Sequence, residues 1–482
     1  MLQIARRSRL AAPGTRAAAT QAARCCIWGL AEKSAADADL TVPLENIDCP
    51  PPLFDATTAT QVTKLPNGLT VASSDMSAPG ATVGVYVDTG SAYEAVSGTS
   101  YMLQHMAFKA SAHYSHTSFV RTAERLGAVN SSAAGRENMV YQTEALKSSV
   151  PEAVDMLAST VLEPNFLPWE LEQAKGIAKQ ELEEYQNNHQ LLLQELSHTA
   201  AYGAGSPLGK PLMAARTLPN VDVDACAKFV EEQYVPSRMV LAAAGIDHAD
   251  LVEIATASPF GRAAAGLPQS HVKTEYVGGE YREHADEPLT HFALTFKGCG
   301  WNDKDLVPIC VLNTMMGGGF SFSAGGPGKG MYTRLYQNIL NNYGYCHAAS
   351  VFASFYNGSG IFGVYAAAPP EQTGQVFAAI VSEMKNMGNN LTDAELSRAK
   401  SQLTTSLLFN LESRAIVFED IGRQVLTYGA RKEPAELVAQ IAAVTAADIS
   451  RVASSILKST PSVAVYGDTT CVPRYDLIAK QF

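Results

Sequence analysis

At 482 residues the chain exceeds what a single hydrophobic core accommodates, so two large domains or more are expected. Hydrophobic residues at 46% and charged residues at 17% exclude wholesale disorder and fibrous repeats. A formal net charge of -11 leaves no cationic excess to neutralise phosphates, which argues against nucleic acid as a partner and favours a cationic one.

The charge is unevenly spread. Residues 1–30 carry Arg6, Arg7, Arg9, Arg16 and Arg24 and no acidic residue. This stretch is rich in Ala, Arg, Ser and Thr and lacks the continuous apolar core of a secretory signal. It therefore reads as a mitochondrial transit peptide over residues 1–32, with an N-terminal extension over 33–64. An unaddressed basic tail is the plainer alternative, but the acid-free run stops abruptly at Glu32, which favours targeting. No run of 18 apolar residues occurs, so no transmembrane helix is expected, and membrane attachment would come through partners. The eight cysteines form no C-x-x-C pair and are expected as reduced thiols.

From Leu65 the pattern becomes that of a folded domain. Val83, Val85 and Val87 alternate as in a half-buried strand, Asp88-Thr89-Gly90-Ser91 supplies a turn, and Gly98-Thr99-Ser100 is placed to cap a helix. That helix carries Tyr101-Met102-Leu103-Gln104-His105. In an H-x-x-E-H motif two histidines share one helical face and the glutamate stands beside the metal-bound water. Here His105 holds the place of the second histidine, while Tyr101 and Gln104 replace the first histidine and the glutamate. A neutral phenol ligates zinc poorly, and an amide does not accept a proton near neutral pH.

Glu181 follows on a helix through Leu171, Ala174, Ala178 and Leu182 and is placed as the relic of a third, carboxylate ligand. Two donors do not hold zinc, so neither a metal site nor a catalytic residue is expected in this chain. A partly buried helix histidine and a solvated acidic face through Glu181, Glu183 and Glu184 explain the same residues. His113 and His116 have no matching further ligand and read as structural.

The same chain contains a repeat. Glu170-Leu171-x-x-Ala174-Lys175 recurs as Glu395-Leu396-x-x-Ala399-Lys400, and Pro236-Ser237 recurs as Pro461-Ser462, both at a displacement of 225. Phe292, Leu294 and Phe296 repeat the period of two seen in the first half. Two lobes are therefore expected over 65–260 and 289–482, joined by a linker over 261–288 where Gly and Pro interrupt the apolar pattern. Strand hairpins and helices are mixed in each half without strict alternation. The expected class is α+β: two similar lobes from internal duplication, each a largely antiparallel sheet with helices packed on one face.

Residues 317–330 are glycine-rich without being a phosphate loop. The Walker pattern requires glycine at 323 and Ser or Thr at 330, and the chain has Ser323 and Gly330. Such a segment exposes peptide groups that can hydrogen-bond an extended peptide, with Phe320, Phe322 and Met331 adding apolar contact. A disordered connector is the plainer reading. Beyond Thr392-Asp393 a helix runs through Glu395 and on toward Glu412, Glu419 and Asp420. Carboxylates in a cleft attract an arginine-bearing peptide, although on spacing alone a solvated helix face is the more common explanation.

Taken together, Tyr101 to Lys109, Gly325 to Met331, and Asn410 to Arg414 leading to Glu419–Gln424 resemble the pitrilysin-type metallopeptidases, in their branch of mitochondrial processing-peptidase alpha subunits. The resemblance covers about Leu65 to Phe482. It implies two lobes per chain and pairing with a beta subunit that retains H-x-x-E-H and zinc. That partner would cleave arginine-containing presequence peptides. The resemblance assigns presequence binding to the glycine-rich loop, here Gly317, Gly318, Gly319, Gly325, Gly326, Gly328, Lys329 and Gly330, with Phe320 where a fourth glycine is usual. It assigns the same role to acidic residues falling on Glu395, Glu419 and Asp420. It further implies a place on the matrix side of the mitochondrial inner membrane and a role as a core subunit of ubiquinol-cytochrome c reductase, respiratory complex III, beside its integral subunits. The expectation is a non-catalytic recognition subunit. Its rivals are a purely structural core subunit and, more remotely, a self-sufficient zinc peptidase using His105, Glu181 and a further ligand.

Overall fold

Among the described residues, twelve strands and the helices between them are drawn from two copies of one pattern. Strands β1 (Gln61–Lys64), β2 (Thr70–Ser74), β3 (Gly80–Val87), β4 (Val129–Ala134), β5 (Met139–Leu146) and β6 (Met239–Ala244) form a sheet in the order β1-β2-β6-β3-β5-β4. Strands β7 (Gly279–His284), β8 (Thr290–Lys297), β9 (Gly318–Phe320), β10 (Ala348–Phe355), β11 (Gly360–Ala368) and β12 (Ser462–Gly467) form the second, ordered β7-β12-β8-β11-β10-β9. Each sheet is antiparallel apart from one pair, β2 with β6 and β7 with β12. The order β2-β6-β3-β5-β4 thus maps onto β7-β12-β8-β11-β10, so the repeat read from Glu170 and Glu395 extends through five strands of each sheet, with β1 and β9 added at opposite ends. Within residues 261–288 the chain already forms β7 at the edge of the second sheet.

The computed structural model describes residues 59–76, 78–213, 216–321 and 331–482, so the leader expected over 1–32 lies outside them. The first half supplies helices α1 (Thr99–Met106), α2 (His116–Leu126), α3 (Val150–Leu162), α4 (Pro168–Asn187), α5 (His189–Tyr202), α6 (Val223–Gln233) and α7 (His248–Ala257). The second supplies α8 (Leu306–Met316), α9 (Pro370–Asn386), α10 (Asp393–Asn410), α11 (Arg414–Tyr428), α12 (Pro434–Ala443) and α13 (Ala446–Leu457). Among the described residues no single helix is long and apolar enough to cross a membrane, and Cys226, Cys299, Cys310, Cys346 and Cys471 are free thiols.

Val83, Val85 and Val87 face a core shared with Met102 of α1, Leu157 of α3 and Leu171 of α4. Phe292, Leu294 and Phe296 do the same with Met315 of α8, Phe377 of α9 and Ile449 of α13. Successive side chains of a strand point to opposite faces, and β3 is buried on both, since Thr82 and Tyr86 are as inaccessible as the valines. The second cover comes from the other lobe. Val417, Phe418, Ile421 and Val425 of α11 pack on Tyr86, Val240, Ala242 and Ala244 of the first sheet. Reciprocally, Leu193, Ala201 and Tyr202 of α5 pack on Ala293, Ile361, Tyr365 and Ala464 of the second.

Helices α5 and α11 begin at His189 and Arg414, 225 residues apart, so the lobes exchange equivalent elements. The approach is close enough to demand glycine. A Cβ on Gly422 would lie 2.2 Å from the Tyr86 ring, and one on Gly84 would lie 2.6 Å from Cζ of Phe418.

The turns of the two sheets also meet. Glu137, between β4 and β5, accepts the backbone N–H of Asn357, between β10 and β11, at 2.8 Å. Burial pushes the Glu137 carboxyl up from its ordinary 4.5 to about 7; the Asn357 N–H opposes that shift and Asp88 adds to it. The unfolded chain releases this proton near its ordinary value, whereas the folded chain keeps it until about 7. Stability therefore falls as pH rises through that interval, by about 3 kcal/mol. Glu137→Gln keeps the acceptor and removes the titration. Its melting temperature will lose that part of the decline between about pH 4.5 and 7, as read by calorimetry.

Candidate functional site

Helix α1 starts at a chain reversal. Gly98 adopts a left-handed conformation, φ 100°, and the carboxylate of Glu94 accepts the N–H groups of Gly98 and Ser100 at 2.8 and 2.9 Å. Gly98 is thus the N-cap, within the expected Gly98-Thr99-Ser100, and the carboxylate that satisfies the free N–H groups comes from Glu94.

On the next turn Tyr101 is buried, and its hydroxyl donates to Oε2 of Glu181 on α4 at 2.9 Å. Nε2 of His105 lies 3.3 Å from that same oxygen, outside hydrogen-bond geometry, with its ring edge-on to Tyr101 at 4.7 Å. The structure thus brings together three of the four residues singled out from the sequence. Gln104 turns away. Its amide oxygen accepts the Ala134 N–H at 2.9 Å, and its backbone carbonyl accepts the Ser132 hydroxyl at 2.9 Å, which pins α1 to β4.

This donor set does not fit zinc. Burial pushes the Tyr101 phenol further above its ordinary value, and the adjoining Glu181 carboxylate does the same, so the oxygen stays protonated. Burial holds His105 below its ordinary value, so one neutral imidazole and one carboxylate are all that face each other. Gln104 does not stand in for the missing glutamate as a base, because its oxygen is an amide oxygen already occupied by a backbone N–H. The second histidine pair is tied elsewhere: His113 contacts Glu163 at 3.0 Å, and His116 bonds the Phe108 carbonyl at 3.2 Å.

The glycine-rich segment leaves α8 through two residues that must be glycine. Gly317 has φ 55°, and a Cβ there would lie 2.3 Å from the Thr333 side chain. Gly318 has φ 105°, and its Cβ would lie 2.1 Å from the Ala349 carbonyl oxygen. Gly318, Gly319 and Phe320 then pair with β10 as the edge strand β9. Gly318 N–H donates to Oγ1 of Thr333 at 3.1 Å, so the entry of the segment is tied to its exit. Gly325, Gly326, Gly328, Lys329 and Gly330 lie outside the described residues.

Just past Thr333, Arg334 locks the exit to α10. Its Nε and Nη2 donate to the Glu395 carboxylate at 2.6 and 3.1 Å, and further bonds reach the carbonyls of Asn386 and Asn389 at 2.7 and 3.0 Å. Glu395 and Arg334 are both largely removed from solvent. Asp420 is similarly engaged, by Nε of Arg431 at 2.8 Å and by the Gln424 amide at 2.7 Å, whereas Glu419 is exposed on α11. The three carboxylates do not form one cluster: Glu395 opens α10, and the other two lie midway along α11. Sequence reasoning missed Arg334 and Arg431, since no periodic rule pairs residues 61 apart, as Arg334 and Glu395 are.

The family model described as insulinase, peptidase family M16, matches residues 69–216, and the one described as the peptidase M16 inactive domain matches 220–403. The mitochondrial-processing peptidase subunit alpha of Solanum tuberosum is 40% identical, covering 94% of this chain and 92% of its own length. The probable subunit alpha-1 of Arabidopsis thaliana is 38% identical over 94% of this chain and 91% of its own, and the Bos taurus subunit alpha 36% over 91% and 88%.

Proposed function

The chain belongs to peptidase family M16, and from that premise we propose that it is the non-catalytic, substrate-recognising alpha subunit of a mitochondrial processing peptidase. In this reading a zinc-bearing beta subunit cleaves presequences that this chain binds. The observation that carries it is the Tyr101 phenol, which hydrogen-bonds Glu181 beside His105 and so occupies the carboxylate a zinc ion would need. The names of the relatives support it, since each is a processing-peptidase alpha subunit.

The recognition step is one of positioning. Thr333 and the Arg334–Glu395 pair hold the two ends of residues 317–330 together, and the segment offers its peptide groups to an extended substrate. Exposed Glu419 offers a carboxylate to a substrate guanidinium, while Asp420, bound to Arg431, fixes the helix that presents it. The acidic net charge of -11 steers a cationic presequence toward the chain.

The arginine-bearing leader and the mitochondrial names of the relatives support a place on the matrix side of the inner membrane. A core role in respiratory complex III rests on the family resemblance. It is tested by isolating the chain from mitochondrial membranes and identifying what accompanies it: integral subunits of that complex support the role, and the beta subunit alone overturns it.

The main test is deletion of residues 322–330 in the reconstituted pair. Presequence affinity and cleavage are expected to fall by about tenfold or more while the partner keeps its zinc. Normal binding and cleavage would remove the recognition role and leave the structural one.

A further inference from the structure

Helix α10 presents Arg398, Gln402, Thr405 and Phe409 on one face, at spacings of three and four residues. With Tyr332 and Thr333 they line a groove of about 610 Å³. The eleven steps from Arg398 to Phe409 at the α-helical rise make this stripe about 16 Å long. Its two ends differ in chemistry. At one end the Arg398 guanidinium lies 5.7 Å over the Tyr332 ring and donates to the Tyr332 carbonyl at 3.4 Å. At the other, Phe409 stands in the last turn of α10, at the negative end of the helix dipole, and exposed Glu412 follows three residues on. Phe409 is 67% and Tyr332 66% exposed, a large aromatic surface to leave in water beside a built groove.

We propose that this groove docks the apolar face of an amphipathic, arginine-bearing presequence, with one apolar side chain on Tyr332, another on Phe409 and a guanidinium beside the latter at the α10 C-terminus and Glu412. The inference rests on the recognition reading and deepens it by giving the substrate's apolar residues a site. Charge complementarity sets the direction: Arg398 repels a cation from one end, and the helix terminus with Glu412 attracts it at the other. Continuity with the glycine-rich segment supports the same occupant, because Thr333 both lines the groove and accepts the Gly318 N–H.

The experiment uses the complete complex of this chain with its zinc-bearing partner. Fluorescence anisotropy measures the affinity of a labelled presequence peptide and of a second peptide of equal charge whose apolar residues are replaced by serine. Wild-type complex is expected to prefer the first peptide. Phe409→Ala and Tyr332→Ala are each expected to weaken it by about tenfold, with little effect on the serine peptide, and Phe409→Leu to restore most of the loss. Presequence binding that is indifferent to the apolar residues, or to both alanine changes, overturns the groove and leaves the recognition reading standing. Failure of the wild-type complex to bind presequences at all overturns that reading and the groove with it.

Discussion

Replacing Phe418 with alanine will lower stability by about 3–5 kcal/mol and bring both lobes down in one transition. Phe418 is fully buried, with its ring centroid 5.5 Å from that of Tyr86 on β3. Its helix α11 belongs to the second lobe in sequence but packs against the first sheet, where Gly84 and Gly422 allow near contact between backbone and ring. The site cannot collapse easily around a cavity, because the backbone on both sides already touches. Since α5 performs the reciprocal service for the second sheet, loosening one exchange strips cover from a lobe whose own helix the other requires. Calorimetry together with amide exchange in β3 and β11 checks this. Two separate transitions, or a loss under about 1 kcal/mol, would contradict it.

Glu395→Gln is the second large effect, with an expected destabilisation of about 3–5 kcal/mol and loss of presequence binding in the same variant. The change leaves the Arg334 guanidinium among the Asn386 and Asn389 carbonyls without its counter-charge, in a site largely closed to water. An unpaired buried charge costs more than the pair contributes, so the double change Arg334→Met with Glu395→Met will recover much of the stability. Binding will recover less, because the exit of the glycine-rich segment is then held only through Thr333. Chemical denaturation and peptide anisotropy on both variants separate the two effects. Equal binding by Glu395→Gln and wild type would show that the pair does not position the segment.

Much of the fold was legible because periodicity reports local burial. Val83, Val85 and Val87 gave β3, and the matching tetrads at Glu170 and Glu395 gave two copies of one lobe. What periodicity does not report is which lobe a helix covers. Helices α5 and α11 each show an apolar stripe that would suit their own half, and only the intervening burial of Thr82 and Tyr86 reveals a second covered face. At the site, Tyr101 and Gln104 announced a lost ligand and a lost base from identity alone. The capping carboxylate of Glu94 did not, since it acts from outside the helix it caps.

The glycine-rich segment shows the same divide. Its composition suggested uniform backbone freedom, yet Gly317 and Gly318 are fixed by positive φ and by contacts with Thr333 and Ala349 that exclude a Cβ. Likewise Glu395, Glu419 and Asp420 looked like one acidic surface. Tertiary structure gives Glu395 and Asp420 arginine partners of their own and leaves Glu419 exposed. Charge counted along a sequence says nothing about which carboxylates are already paired.

Metal content and peptidase activity of the purified chain, alone and with its partner, test the central claim most directly. With the Tyr101 phenol on Glu181 and the Gln104 amide turned away to the Ala134 N–H, the isolated chain is expected to hold no stoichiometric zinc and to cleave no presequence until the beta subunit is added. One tightly bound zinc per chain, with cleavage in the partner's absence, would contradict it.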